Sequence, residues 1–136
     1  MRVLGLDIGT KNIGVAISDE TCVLAQGKEV ISRKSNKQVV ERIKDIVEEF
    51  HVKKIVVGLP INMNRTKGVR ARDSEKFAEK LKENVFADVI LWDERLSTKE
   101  AEDIMIEGSL SRAKRKKIVD KFAAQIMLQN YLDSKT

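Results

Sequence analysis

The sequence predicts an α/β fold, a five-stranded mixed sheet flanked by helices, in a single domain spanning residues 1–136. Three observations lead there. Two apolar runs, residues 3–8 and 13–18, alternate in side-chain size and are joined by Gly9-Thr10-Lys11-Asn12, the pattern of a β-hairpin. Two later runs, 54–59 and 89–92, are short and apolar without alternation, as in strands covered on both faces. The segments around them repeat apolar residues at helical spacing, giving the order β-β-β-α-β-α-β-α-α. Three meandering strands followed by two delivered through helical crossovers satisfy that order.

The hairpin has two unlike faces. Leu4, Leu6 and Ile8 share one side with Ile13, Val15 and Ile17, and all are bulky. The other side holds Val3, Gly5, Asp7, Gly14, Ala16 and Ser18, smooth except for one carboxylate. Residues 22–31 read as a third strand, antiparallel to the second, with Gly27 at a bulge. Ser35 and Gln38 have the spacing of a capping box and open a helix carrying Val39, Ile43, Ile46 and Phe50 inward. The 54–59 strand follows. Arg65, Lys67, Gly68, Arg70 and Arg72 then read as a basic loop, before a helix with Phe77, Ala78 and Leu81 on one face. After the 89–92 strand, Ser97 and Glu100 form a second capping box for a short helix ended by Gly108-Ser109. The basic run Arg112, Lys114, Arg115, Lys116 and Lys117 leads into a last helix over 118–132. There Val119, Phe122, Ala123, Ile126 and Met127 form the apolar arc, and Asp120 lies at its edge.

Composition narrows the function. Lys and Arg number 26 against 21 Asp and Glu, a net charge of +5, which favours a polyanionic partner. Charged residues make up 35% of the chain, which also fits ion-pair networks of the kind enriched at high growth temperature. Cys22 is the single cysteine, which excludes an internal disulfide and multi-cysteine metal sites and points to a reducing, cytoplasmic setting. The 3–8 run is too short, and too soon interrupted by Asp7, for a signal-peptide core or a membrane span. His51 is the single histidine, so a paired-histidine site is impossible, and its place between a helix and a strand reads as a surface connector.

In an open α/β sheet, ligands collect beyond the carboxyl ends of the parallel strands. Asp7 and the pair Asp93-Glu94 end such strands, and the last helix brings Asp120 if Ala123 and Ala124 seat it on the smooth face. Singly, each acid has a plain reading: Asp7 as a turn cap, Glu94 as a charge at a helix start, Asp120 as a salt-bridge partner of nearby lysines. Together, three carboxylates in a partly dry site repel unless a cation neutralises them. An all-oxygen set suits Mg²⁺ or Mn²⁺. Such ions, singly or paired, are the usual device for phosphodiester hydrolysis without a protein nucleophile. The basic residues Lys11, Arg65, Lys67, Arg70, Arg95, Arg112, Lys114, Arg115, Lys116 and Lys117 are then expected to hold a nucleic-acid backbone by phosphate contacts. Aromatic residues are too few for base stacking to dominate.

Four stretches together resemble the YqgF family: residues 5–19 (Gly-Leu-Asp-Ile-Gly-Thr-Lys-Asn-Ile-Gly-Val-Ala-Ile-Ser-Asp), 57–64 (Val-Gly-Leu-Pro-Ile-Asn-Met-Asn), 93–98 (Asp-Glu-Arg-Leu-Ser-Thr) and 119–124 (Val-Asp-Lys-Phe-Ala-Ala). The resemblance covers nearly the whole chain, with the blocks in order. It implies a ribonuclease H-like fold related to Holliday junction resolvases, and a nuclease that matures the 5′ end of small-subunit ribosomal RNA. By position, the family's acidic residues fall on Asp7, Glu94 and Asp120, with Asp93 in reserve for Glu94. The second block departs from the family's pattern: its usual Asp-Gly is Asn64-Arg65 here. The expected partners are precursor ribosomal RNA or branched DNA, with ribosomal particles, and the expected state is a monomer or weak homodimer. Competing readings are a Holliday junction resolvase, a non-catalytic nucleic-acid-binding factor, and an actin-like ATPase. The chain is long enough for only one of the two lobes such an ATPase uses.

Overall fold

The computed structural model describes residues 1–60, 68–93 and 112–135, the side chains of 112–121 excepted. Strands β1 (Arg2–Ile8), β2 (Asn12–Ser18), β3 (Ala25–Ser32), β4 (Val52–Leu59) and β5 (Asp88–Asp93) lie in one sheet in the order β3-β2-β1-β4-β5. Helices α1 (Asn36–Phe50), α2 (Val69–Lys82) and α3 (Arg112–Ser134) flank it. β1 pairs antiparallel with β2 and β2 with β3, while β4 runs parallel to β1 and β5 parallel to β4. The expected five-stranded mixed sheet is therefore present, with β1 at its centre.

The two faces of the hairpin build two cores. Leu4, Leu6, Ile8, Ile13, Val15 and Ile17 pack with Ile43 and Ile46 of α1 and Phe77 and Leu81 of α2. On the smooth side, Val3, Ala16, Ala25 and Val56 pack with Ala124, Met127, Leu128, Tyr131 and Leu132 of α3. Small residues set how closely α3 can approach. A Cβ placed on Gly5 would lie 2.9 Å from the Cβ of Leu128, so the helix rests on bare backbone there. Gln129 fastens the same helix to the β2–β3 connection, its Oε1 accepting from the Ala25 amide and its Nε2 donating to the Val23 carbonyl, each at 2.8 Å.

Several boundaries differ from the sequence expectation. β3 begins at Ala25 rather than Cys22, because the Asp19 carboxylate gathers the Thr21 hydroxyl and the Val23 and Leu24 amides into a closed loop. Cys22 has φ 60° in that loop, a left-handed conformation no strand contains. Gly27 does adjoin a bulge: Val15 pairs with Glu29 and Ala16 with Gly27, leaving Lys28 over. Ser35 caps α1 by accepting from the Gln38 amide at 3.1 Å, and exposed His51 ends it in a left-handed C-cap. Arg70 and Arg72 belong to the first turn of α2 rather than to a loop. The basic run from Arg112 is likewise part of α3, since Lys and Arg are good helix formers. Within α3 the buried stripe is Ala123, Ala124, Met127, Leu128, Tyr131 and Leu132, with Phe122 and Ile126 only half buried. Ala124, Met127 and Tyr131 are all in that stripe, whereas the side chain of Asp120 lies outside the described residues. The short helix expected after Ser97 lies outside the described residues.

Candidate active site

The parallel strands β1, β4 and β5 end on one edge of the sheet, and Asp7 is the penultimate residue of β1. It is 5% exposed. Alternation places Asp7 on the face of Val3 and Gly5, the face α3 covers. Leu6 pairs with Val57, so Asp7 is level with Gly58, which pairs in turn with Trp92. Trp92 packs with the α3 core and meets Tyr131 edge to face at 5.2 Å between centroids. On β5, Ile90 and Trp92 therefore share the face of Asp7, whereas Val89, Leu91 and Asp93 point to the other. Asp93, the reserve candidate, ends β5 on the face opposite Asp7.

The sharp turn after β1 is held from several directions. The Gly9 amide donates to the Asn12 carbonyl at 2.9 Å, and a Cβ on Gly9 would meet that oxygen at 2.5 Å, so only glycine fits. Arg70 reaches over from α2, its Nη2 3.3 Å from the Ile8 carbonyl and 3.9 Å from Asp7 Oδ1. The latter is ion-pair range but too long for a hydrogen bond. Arg33, which the sequence did not single out, grips the turn more tightly. Its backbone amide donates to the Lys11 carbonyl at 2.8 Å, and its Nη1 donates to the Gly9 carbonyl at 2.9 Å. The same guanidinium makes a two-pronged contact with Asp73 of α2 at 2.6 and 2.8 Å, and its Nε donates to Asn36 at 3.0 Å. The Asp73 carboxyl is held below its ordinary pKa first by those hydrogen bonds, and the Arg33 guanidinium is held above its own by the same contact.

The comparisons with known proteins agree with this architecture. The profile of the family described as "RuvX: Holliday junction resolvase" matches residues 1–134. The chain belongs to the RuvX family. It is 54% identical over 135 residues to a Thermoanaerobacter pseudethanolicus protein named "Putative pre-16S rRNA nuclease", covering 98% of this chain and 97% of that one. A Bacillus cytotoxicus protein of the same name is 52% identical over 137 residues, covering 99% and 100%. Among solved structures, RuvC from T. thermophilus with a Holliday junction substrate superposes at a TM-score of 0.60 and 17% identity, covering 99% of this chain and 96% of that one. The Fowlpox virus resolvase with Holliday junction DNA gives a TM-score of 0.60 and 17% identity, covering 99% of both chains. At such identity the likeness is one of fold, and that fold is ribonuclease H-like.

For this RuvX chain the expected site residues divide into three groups. Asp7 and Arg70 meet at the end of β1, and exposed Lys11 sits in the adjoining turn. Asp120, Arg112, Lys114, Arg115, Lys116 and Lys117 lie on α3, their side chains outside the described residues. Because Leu128 rests on Gly5 and Gln129 bonds to Ala25 at the far end of the sheet, the N-terminal half of α3 runs toward Asp7. Glu94, Arg65, Lys67 and Arg95 lie outside the described residues, and among the described residues no cluster of three metal-binding side chains occurs. The alternative nucleophiles and bases are remote. His51 precedes β4 and Cys22 follows β2, both at the edge opposite Asp7.

Proposed function

We propose that this chain is a metal-dependent endonuclease that hydrolyses phosphodiester bonds in structured nucleic acid, and that its substrate is precursor 16S ribosomal RNA, trimmed at the 5′ end in the cytoplasm. The observation that carries the reading is Asp7: a buried carboxylate at the end of the central strand, on the face under α3, in a RuvX chain. Its relatives' names supply the RNA substrate and the family description supplies the alternative, a DNA junction. No described helix is long and apolar enough to cross a membrane.

The donor chemistry fits a hard divalent cation. Asp7 presents a buried hard oxygen donor, and Arg70, about half exposed, stands at ion-pair distance from it. Asp7, Glu94 and Asp120 would hold Mg²⁺ or Mn²⁺, which when bound supplies charge for activating water and for the leaving oxygen. Strand parity argues against Asp93, which alternates with Trp92 onto the face opposite Asp7, and the family resemblance supports its neighbour Glu94. Helical periodicity supports Asp120, one turn before buried Ala124 on a helix running toward Asp7.

The chain's own residues do the rest. Arg70, in the first turn of α2 where the helix dipole favours anions, is half exposed to water and faces the incoming phosphate. The basic turns of α3 hold the backbone on either side as a monomer or weak dimer meets its substrate on ribosomal particles. The test is a cleavage panel of precursor 16S RNA, duplex, single strand and four-way DNA junction with each metal, comparing the parent with Asp7→Asn. Cleavage of the precursor by the parent alone is expected; equal cutting by Asp7→Asn would overturn the site.

A further inference from the structure

We infer that Arg33 is the positioning residue of this active site, the group that fixes the β1–β2 turn and the start of α2 in one geometry so that Asp7 and Arg70 face the same phosphate. The inference rests on the nuclease reading for its catalytic consequence, though its structural half stands apart from it. Arg33 joins three segments: Gly9 and Lys11 in the turn, Asn36 at the start of α1, and Asp73 in α2. Its side chain is only 11% exposed, and its guanidinium stands over the Phe77 ring at 5.6 Å, so its plane is fixed by packing as well as by bonds. Asp73 is one turn along α2 from Arg70, which donates to Ile8 next to Asp7. The chain of contacts thus runs from Arg33 to Asp73, along one helical turn to Arg70, and back to β1. A second branch runs directly from Arg33 to the carbonyl of Gly9, the residue after Ile8. Both branches end just after Asp7, at the Ile8 and Gly9 carbonyls, and meet at one planar fork.

A lysine cannot reproduce this arrangement. It carries the charge but presents one point rather than a fork that meets a carboxylate and a carbonyl at fixed angles. A matched control exists elsewhere in the fold: Arg42 of α1 grips Glu29 of β3 at 2.7 and 3.0 Å, a similar two-pronged pair two strands from β1 and on the other face of the sheet from Asp7.

The experiment compares Arg33→Lys, Asp73→Asn and Arg42→Gln with the parent by native-state hydrogen exchange, thermal melting and steady-state cleavage at saturating metal. For Arg33→Lys, exchange at the Gly9 amide is expected to rise at least about tenfold, with core strands unchanged. Turnover should fall up to about a hundredfold, the cost of an ångström's misplacement, with little change in KM. Asp73→Asn is expected to lower turnover less, because the Gly9 contact survives. Arg42→Gln should lower the melting temperature without slowing turnover. Parent-like Gly9 protection in Arg33→Lys, or an equal loss of turnover in Arg42→Gln, would overturn the assignment. If the parent cleaves none of the substrates, the nuclease reading fails by itself, while hydrogen exchange still decides whether Arg33 holds the turn.

Discussion

Replacing Gly5 with alanine tests the contact on which the seating of α3 depends. The new Cβ would stand 2.9 Å from Leu128 Cβ and 3.4 Å from each δ-carbon, and ordinary contact begins at 3.4 Å. The nearest atom is bonded to the helix backbone, so no rotamer change of Leu128 clears it. The helix must lift by about 3.4 minus 2.9, or 0.5 Å, over β1. Overpacking of this kind costs about 2 kcal/mol, within the usual 1–3. Loss of glycine's freedom in the unfolded chain returns about 0.4–1 kcal/mol. The net loss is about 1–1.5 kcal/mol. With an unfolding entropy of about 2.1 cal/mol/K per residue, roughly 0.29 kcal/mol/K for this chain, Tm falls by about 3–5 °C. Calorimetric melts measure it, and cleavage should drop further than the folded fraction does because α3 carries Asp120. Shortening Leu128 to alanine leaves its Cβ in place. The double variant should therefore be less stable than Leu128→Ala alone. A Gly5→Ala protein melting with the parent, or a double variant more stable than the single, would refute the close-approach argument.

Other outcomes follow from the same geometry. Asp7→Asn should abolish cleavage while leaving Tm equal to or above the parent's, since an amide costs less to bury than a carboxylate; circular dichroism melts check the second half. Neutralising Arg115 and Lys116 together should weaken RNA binding and flatten its salt dependence by about 0.7–0.9 per charge in log–log slope, read by filter binding from low to high salt. Asp19 is lowered from 3.8 to about 2, first by the Thr21 hydroxyl and then by the Leu24 and Val23 amides. A depressed carboxylate stabilises the fold above its unfolded pKa and loses that contribution as pH falls through the folded one. The Tm gap between parent and Asp19→Asn should thus be constant above about pH 4 and close toward pH 2; a gap that persists at pH 2 would rule out the ionised carboxylate as its source.

The hairpin was readable in the sequence because period-two alternation runs uninterrupted through both strands, and its two unlike faces told which side α3 would cover. Asp7 followed from that parity. What escaped the reading has local causes. α2 starts without a side-chain cap at Gly68, so nothing marked Arg70 and Arg72 as helical. The start of β3 was hidden by a loop closed through Asp19, whose hydrogen bonds no apolar pattern signals. The face on which Asp93 lies needed the pleat of β5, which its register with β4 and its packing against α3 supply. Arg33 lies in a polar connector beside Ser32 and Lys34, and its main partner is 40 residues away, so no motif pointed to it.

The attachment of α3 also has a consequence in time. Its hydrogen bonds to the β2–β3 connection join residues 104 and 106 apart in the chain. At about 5–20 residues per second on the ribosome, roughly 5–20 s separate the emergence of these partners. During that interval the Asp7 face of the sheet has no helical cover. A nascent RuvX chain therefore displays Asp7 on that face some seconds before the helix bearing Asp120 has been made.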